Sequence, residues 1–342
     1  VSSATGTPAG SSLAPGAPIT DGGVQESRWE RAARAAQERG ALAVLVLVVL
    51  VASFAFDTFA TGANLSNIAI QSAFLAVIAL GMTFVIITGG IDLSVGSVYA
   101  LGGVLAAWGS QHGTWAALLV PLVVCGGIGL VNGLLIARGG MAPFIVTLAT
   151  LLFARGLTLT ITDSGAEVFL VPQGSSFSRL GQGELFGIAY PVYVALGLFA
   201  LGALLLQRTA FGQTVLAVGS NEDAATLMGM RVQRAKLLAY VLSGTLAGFA
   251  GAMLAARSSS GVPTVGVGLE LDAIAAVVIG GTLLTGGAGT TGGTLCGVLL
   301  LGVIQNVINQ IGSLGSSYQS VVSGAFLIVV VVVQTFLSRR RR

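Results

Sequence analysis

ALGMTFVIITGGIDLSVGSVYALGGVLAA, residues Ala79 to Ala107, is the stretch whose reading decides the rest of the chain. Two apolar helical runs meet in it at a glycine pair, Gly89-Gly90, and Asp92 follows at once. Asp92 is the only acidic residue between Asp57 and Asp163. A carboxylate in such apolar surroundings is costly and is tolerated beside a partner, a cavity or an interface. Asp92 therefore marks a break in a membrane helix that needs a physical reason.

Composition supports the membrane setting. Of 342 residues, 54% are hydrophobic and only 8% are charged, and the mean hydropathy is +0.91. A soluble domain carries about 25% charged residues, so an ordinary water-facing surface cannot be built from this chain. Cys125 and Cys296 both lie in apolar runs and read as small buried hydrophobes. With His112 as the one histidine, a His/Cys metal site is not expected. The pI near 9.2 reflects basic residues gathered at span ends, which carry orientation rather than nucleic-acid binding.

Residues 1–27 are rich in Ser, Ala, Gly, Pro and Thr and are expected to form a disordered cytoplasmic tail. They do not read as a secretory signal, because the charged Arg28–Arg39 segment follows and the next apolar run is too long. The remainder, 28–342, is expected to be one all-α transmembrane domain. A span needs about 20 mostly apolar residues. Ten are predicted: Ala41–Ala60, Asn67–Thr88, Leu93–Trp108, Trp115–Ala137, Ala142–Thr162, Ile188–Leu206, Lys236–Ala256, Leu271–Leu284, Thr294–Ile311 and Tyr318–Leu337. The third and eighth are short and glycine-rich, the pattern of broken or re-entrant segments.

The positive-inside rule tests that count. With ten spans, thirteen basic residues fall on one side: Arg28, Arg31, Arg34, Arg39, Arg138, Arg208, Arg231, Arg234, Lys236 and Arg339 to Arg342. Only Arg155, Arg179 and Arg257 fall on the other. Both termini are therefore expected in the cytoplasm. Fifty glycines, many within spans, allow close helix approach. GGIDLSVG at Gly89–Gly96 and GGTLLTGG at Gly280–Gly287 also resemble each other, each between two apolar runs on the same predicted side.

The longest polar insertion on the inner side is 207–236, QRTAFGQTVLAVGSNEDAATLMGMRVQRAK. Ser220 or Asn221 can cap a short helix there, with Glu222 and Asp223 favoured in its first turn. Ala224, Ala225, Leu227 and Met228 give it an apolar face, and Gly229 can end it. Such a helix either docks a cytoplasmic partner or lies against the bilayer or its own bundle. No phosphate-binding G-x-x-x-x-G-K-[ST] motif exists, since Lys236 is the single lysine. No nucleophile triad is possible around His112, and a catalytic site is not expected.

These residues resemble the membrane permeases of ribose/xylose/arabinose/galactose-type ABC sugar importers. The resemblance rests on LGMTFVIITGGIDLSVGSVYALGG (80–103), FGQTVLAVGSNEDAATLMGM (211–230) and the segment 240–293 containing GLELDAIAAVVIGGT. It implies a ten-helix subunit that pairs as a homodimer, docks a cytoplasmic ATPase, and receives a monosaccharide from an extracytoplasmic binding protein. ATP and Mg would be bound by that ATPase, with no cofactor on this chain. The resemblance makes Asn221–Gly229 (Asn221, Glu222, Asp223, Ala224, Ala225, Leu227, Met228, Gly229) the coupling helix. It places Arg257, Glu270 and Asp272 on the outer connection that would meet the binding protein.

Polar residues within spans are the candidate sugar path: Asn67, Gln71, Thr83, Asn132, Thr147, Asn306, Asn309 and Gln310. The same groups also suit hydrogen bonds between helices. In the signature turn (Gly89, Gly90, Asp92, Ser94, Gly96), Asp92 has three readings: lining the passage, holding an inner gate, or capping the helix predicted from Leu93. ABC permeases for branched-chain amino acids, nucleosides or polyols share the general plan. An ion-coupled secondary transporter with Asp92 as its ion site is the alternative of a different class.

Overall fold

Among the described residues, twelve apolar or amphipathic stretches become α-helices because little else can satisfy a backbone without water. The computed structural model describes residues 28–311, with side chains from Gly40, and beyond them only Val321, Gly324, Ala325, Ile328 and Val332. The expected tail 1–27, nearly all of the tenth span and Arg339–Arg342 lie outside the described residues.

In chain order the long helices are α1 (Arg28–Ala55), α2 (Gly62–Ile87), α3 (Val95–Ser110), α4 (Thr114–Ala137) and α5 (Pro143–Ile161). A 3-10 turn at Asp163–Gly165, the short helix α6 (Ser176–Gln182) and a two-residue hairpin, β1 (Glu184–Leu185) with β2 (Ile188–Ala189), lead to α7 (Tyr190–Arg208). Then come α8 (Ala210–Ser220), α9 (Glu222–Leu227), α10 (Val232–Ser258), α11 (Leu269–Ile279) and α12 (Thr291–Ile311). Proline opens α5 at a position where its missing N–H costs nothing. The Thr61 hydroxyl accepts the Asn64 N–H at the start of α2.

Among the described residues, α2, α4, α5, α7, α10 and α12 are long and apolar enough to cross a membrane. At 1.5 Å per residue, α3 is about 24 Å long and α11 about 16 Å, both shorter than a hydrocarbon core of about 30 Å. The short third and eighth spans of the sequence are these two. The helix after the signature turn starts at Val95, not Leu93, and the eighth ends at Ile279, not Leu284.

The long α10 is the axis of the bundle, packed against α4, α3 and α2. Its glycines and serines permit contact of backbones: a methyl group at Gly102 of α3 would press on the Gly248 backbone, and one at Gly244 on Gly129 of α4. The interior is made of α2, α3, α10 and α11, while α5 and α7 leave most of their surface open.

The 207–236 insertion differs from the expected single short helix. α7 runs on to Arg208, α8 fills 210–220, and α10 already begins at Val232. AFGQTVLAVGS is too short and too mixed to register as a hydropathy run, yet Val215 and Val218 are buried. The Thr209 hydroxyl accepts the Gly212 N–H and starts it.

Candidate transport site

The α2–α3 turn is held by its carboxylate. Asp92 is fully buried. Its Oδ1 accepts the Ser94 N–H at 3.0 Å and the Ser94 hydroxyl at 2.6 Å, and Oδ2 accepts the Ser243 hydroxyl from α10 at 2.8 Å. The Asn132 side-chain amide of α4 donates to Ser94 Oγ at 3.2 Å, and Asn132 Oδ1 accepts from Thr150 of α5 at 2.6 Å. One polar chain therefore ties α10, the turn, α4 and α5 together. Hydrogen bonds to a charged group are worth about 1.5–3 kcal/mol each, so this chain can hold a carboxylate among apolar helices without a cation. Asp92 binds Ser94 two residues on, rather than capping a helix that starts at Leu93.

Beside it, the two sequence motifs of the resemblance meet. After Ser258 the chain turns at Ser259 (φ 57°) and pairs with the 162–175 connection, Val171 N–H to Ser259 O and Gly261 N–H to Phe169 O, both 2.9 Å. It then descends along α3, from Gly261 beside Val104 to Gly266 against Gly96. A methyl group at Gly96 would overlap the Gly266 carbonyl and the Glu270 carboxylate, so GGIDLSVG needs its last glycine to admit GLELD. Gly96 stands fourteen residues, about 21 Å, from the Ser110 end of α3. Arg155 of α5 donates from Nη1 to the carbonyls of Pro263 (2.8 Å) and Val265 (2.9 Å), fixing the descending segment.

At the other end of the turn lies a junction of backbones. Ile87 O accepts the Gly287 N–H at 2.9 Å. A methyl group at Gly219 of α8 would overlap both that carbonyl and the Gly287 nitrogen. Gly286 lies against Gly89 and Gly219. The ends of α2, α8 and the α11–α12 turn therefore touch backbone to backbone, with the Ser220 hydroxyl beside them at Gly287. Asn221 leads straight from this point into α9, its side chain accepting the Ala224 N–H at 2.9 Å. Lys236 reaches Glu222 at 2.6 Å. Leu227 is 89% exposed and Met228 66%, leaving α9 an uncovered apolar tip.

The remaining sequence candidates do not gather into one path. Thr83 shares a hydrogen bond with Thr294 at 2.8 Å, linking α2 to α12. Asn306 exchanges bonds with Asn64, and Gln310 accepts from Thr58 at 3.1 Å, at the far end of the bundle from α9. Thr147 bonds Pro143 O and Ile91 O, and Asn67 and Gln71 are exposed. Arg257 ends α10, where its carbonyl accepts from Gln182. Glu270 is separated from it by the descending segment and stands half-buried against Gly96. Its neighbour Asp272 is in the first turn of α11. Ser243, Thr150 and Gly219 escaped the sequence reading, and Arg155 entered it only as an outer-side charge. Arg155 alone carried a signal, as the one basic residue well inside a predicted span.

The family described as the permease component of a branched-chain amino acid transport system matches residues 64–331. The ribose import permease protein RbsC of Bacillus subtilis is 43% identical over 286 residues, covering 83% of this chain and 87% of that protein. RbsC of Escherichia coli K12 is 41% identical over 278 residues, 80% and 86% of the two chains. The L-arabinose ABC transporter permease protein AraH of Azospirillum brasilense is 39% identical over 286 residues, 83% of each. No solved structure matches the chain. Its multi-pass helical bundle, the meeting of its two signature motifs and these matches agree: the chain belongs to the family of transport-system permease components to which the ribose and arabinose import permeases are similar.

Proposed function

We propose that this chain is the membrane permease of an ATP-driven importer that passes a pentose such as ribose or arabinose across the cytoplasmic membrane. The carrying observation is the 43% identity, over most of both chains, to a ribose import permease. A separate ATPase supplies the ATP and Mg chemistry, an extracytoplasmic binding protein delivers the sugar, and a second copy of the chain completes the passage. The end bearing α9 is cytoplasmic, in keeping with the gathering of basic residues there.

In this reading α9 is the docking helix. Its exposed Leu227 and Met228 fill a cleft in the ATPase, and the Asn221 cap keeps the short helix formed when no partner covers it. Movement of α9 passes through α8 to the Gly219–Ile87–Gly287 junction, where backbones in contact have no flexible side chain to absorb it. From Ile87 it reaches the turn that Asp92 locks to α10. The sugar meets groups that bond it briefly and release it.

Co-purification with candidate ATPase and binding-protein partners, followed by ribose-stimulated ATP hydrolysis and uptake in liposomes, tests this. Stimulation by ribose or arabinose is expected. Uptake that needs no ATPase and collapses with an ionophore overturns it.

A further inference from the structure

Residues 259–268 carry non-helical backbone down beside α3 to Gly96, well inside the bundle's length. Irregular backbone at membrane depth is found only where protein buries it or water lines it. Yet Thr264 and Val267 of this segment are exposed, Val267 at 80%, and Leu271 follows them into α11 exposed as well. Leu152, one turn before Arg155 on α5, is 66% exposed. This face therefore does not look onto lipid.

Arg155 sits on that face, six residues or about 9 Å from the Ile161 end of α5. Its Nη1 is committed to Pro263 O and Val265 O. Among the described residues, Nη2 and Nε make no hydrogen bond. A guanidinium has five donors, and leaving several unmet in hydrocarbon is costly. Glu270 lies in the field of this charge, its carboxylate set against Gly96. The contact with Gly96 places Glu270 beside α3, and the carbonyl bonds fix Arg155, so both charges are placed before any ligand arrives.

The geometry points to a transit subsite in which the free edge of Arg155 donates to sugar hydroxyls while Glu270 accepts from them. The planar fork of a guanidinium suits two adjacent hydroxyl oxygens, which is the chemistry of a neutral pentose rather than of an apolar amino acid. Two of the five Arg155 donors are already spent on the protein, so the subsite holds a sugar weakly, as passage requires. This inference rests on the import reading above and adds the residues that touch the cargo.

The assembled complex in proteoliposomes tests it, with uptake of ribose compared against 2-deoxy- and 3-deoxyribose by wild type and Arg155→Lys. The binding protein is the same in both complexes, so its own preference cancels in the ratio. Arg155→Lys is expected to lose about fivefold to tenfold in ribose uptake, the effect of one hydrogen bond, and much less with at least one deoxy sugar. An equal loss for all three sugars means that Arg155 only holds the segment, and overturns the subsite. Leu152→Cys, with Arg155 intact, gives a second readout that does not depend on transport. Its labelling by a membrane-impermeant thiol reagent, above the wild-type background, is expected to be slowed by ribose. Absence of labelling shows a dry face and also overturns the proposal. If wild type imports no sugar, the import reading fails, while the labelling still reports whether the face is wet.

Discussion

The turns at Gly89–Gly96 and Gly280–Gly287 each join two membrane helices beside a glycine pair, and they meet at Ile87. The first holds itself with side chains: Asp92 collects three donors, and Ser94, Asn132 and Thr150 extend the network over two more helices. The second has no charged residue, and apart from the Ser220 hydroxyl, which donates to Gly287 O at 3.5 Å, it makes its contacts with backbone, at Ile87 O and Gly219. Similar strings thus serve different mechanical ends. A hydrogen-bonded turn can break and reform its bonds, whereas backbones in contact must move together. The first suits a lock along the passage and the second a rigid link to α9.

The sharpest way to break this division is at the link. Gly219→Val places a branched side chain where even a methyl overlaps the Ile87 carbonyl. Overpacking costs typically 1–3 kcal/mol and more where backbone blocks relief. The variant is expected to lose about 3 kcal/mol or more, read as loss of folded, detergent-stable protein. At the lock, Asp92→Ala strips the acceptor from two hydroxyls and one N–H. A loss of about 3 kcal/mol is expected, since each stranded group costs about 1–3 kcal/mol and some find new acceptors. Ser243→Ala removes one of these bonds and should cost about 1.5 kcal/mol. Thermal unfolding of the three variants beside wild type gives the order, and a Ser243→Ala loss equal to that of Asp92→Ala would show that Ser94 contributes nothing.

Much of this division could be read from residues alone. The carboxylate after a glycine pair, the likeness of the two octets, the short third and eighth spans and the cap at Asn221 are all visible in the string. The meeting of Gly96 with Glu270 is not, because hydropathy says nothing about where non-helical backbone runs. Glu270 looked like the end of a span at the membrane surface, and only the descent along α3 carries it inward. Asn306 and Gln310, four apart on α12, share a face as their spacing suggested, Gln310 donating to Asn306 Oδ1 at 3.1 Å, and their further partners are Asn64 and Thr58 of the neighbouring α1–α2 region. α8 was missed because its apolar residues are too few to stand out and its role lies in glycine contacts.

The smallest effect belongs outside both turns. The Glu222–Lys236 pair is largely exposed on its glutamate side, and such pairs contribute at most about 1 kcal/mol. Lys236→Ala should change stability by less than that and leave uptake within about twofold of wild type. A larger loss of uptake with unchanged stability would move the link from the glycine junction to the α9–α10 pair.

The most direct test of the division is the amount of ribose imported per ATP hydrolysed by the reconstituted complex carrying Gly287→Ala. That residue holds φ +80° and packs on Ser220, so a side chain there displaces the link without touching the Asp92 network. The ATPase should remain bound and active, and the ratio should fall about tenfold, equivalent to roughly 1.4 kcal/mol of lost coupling. An unchanged ratio in a stable, assembled complex would contradict the account.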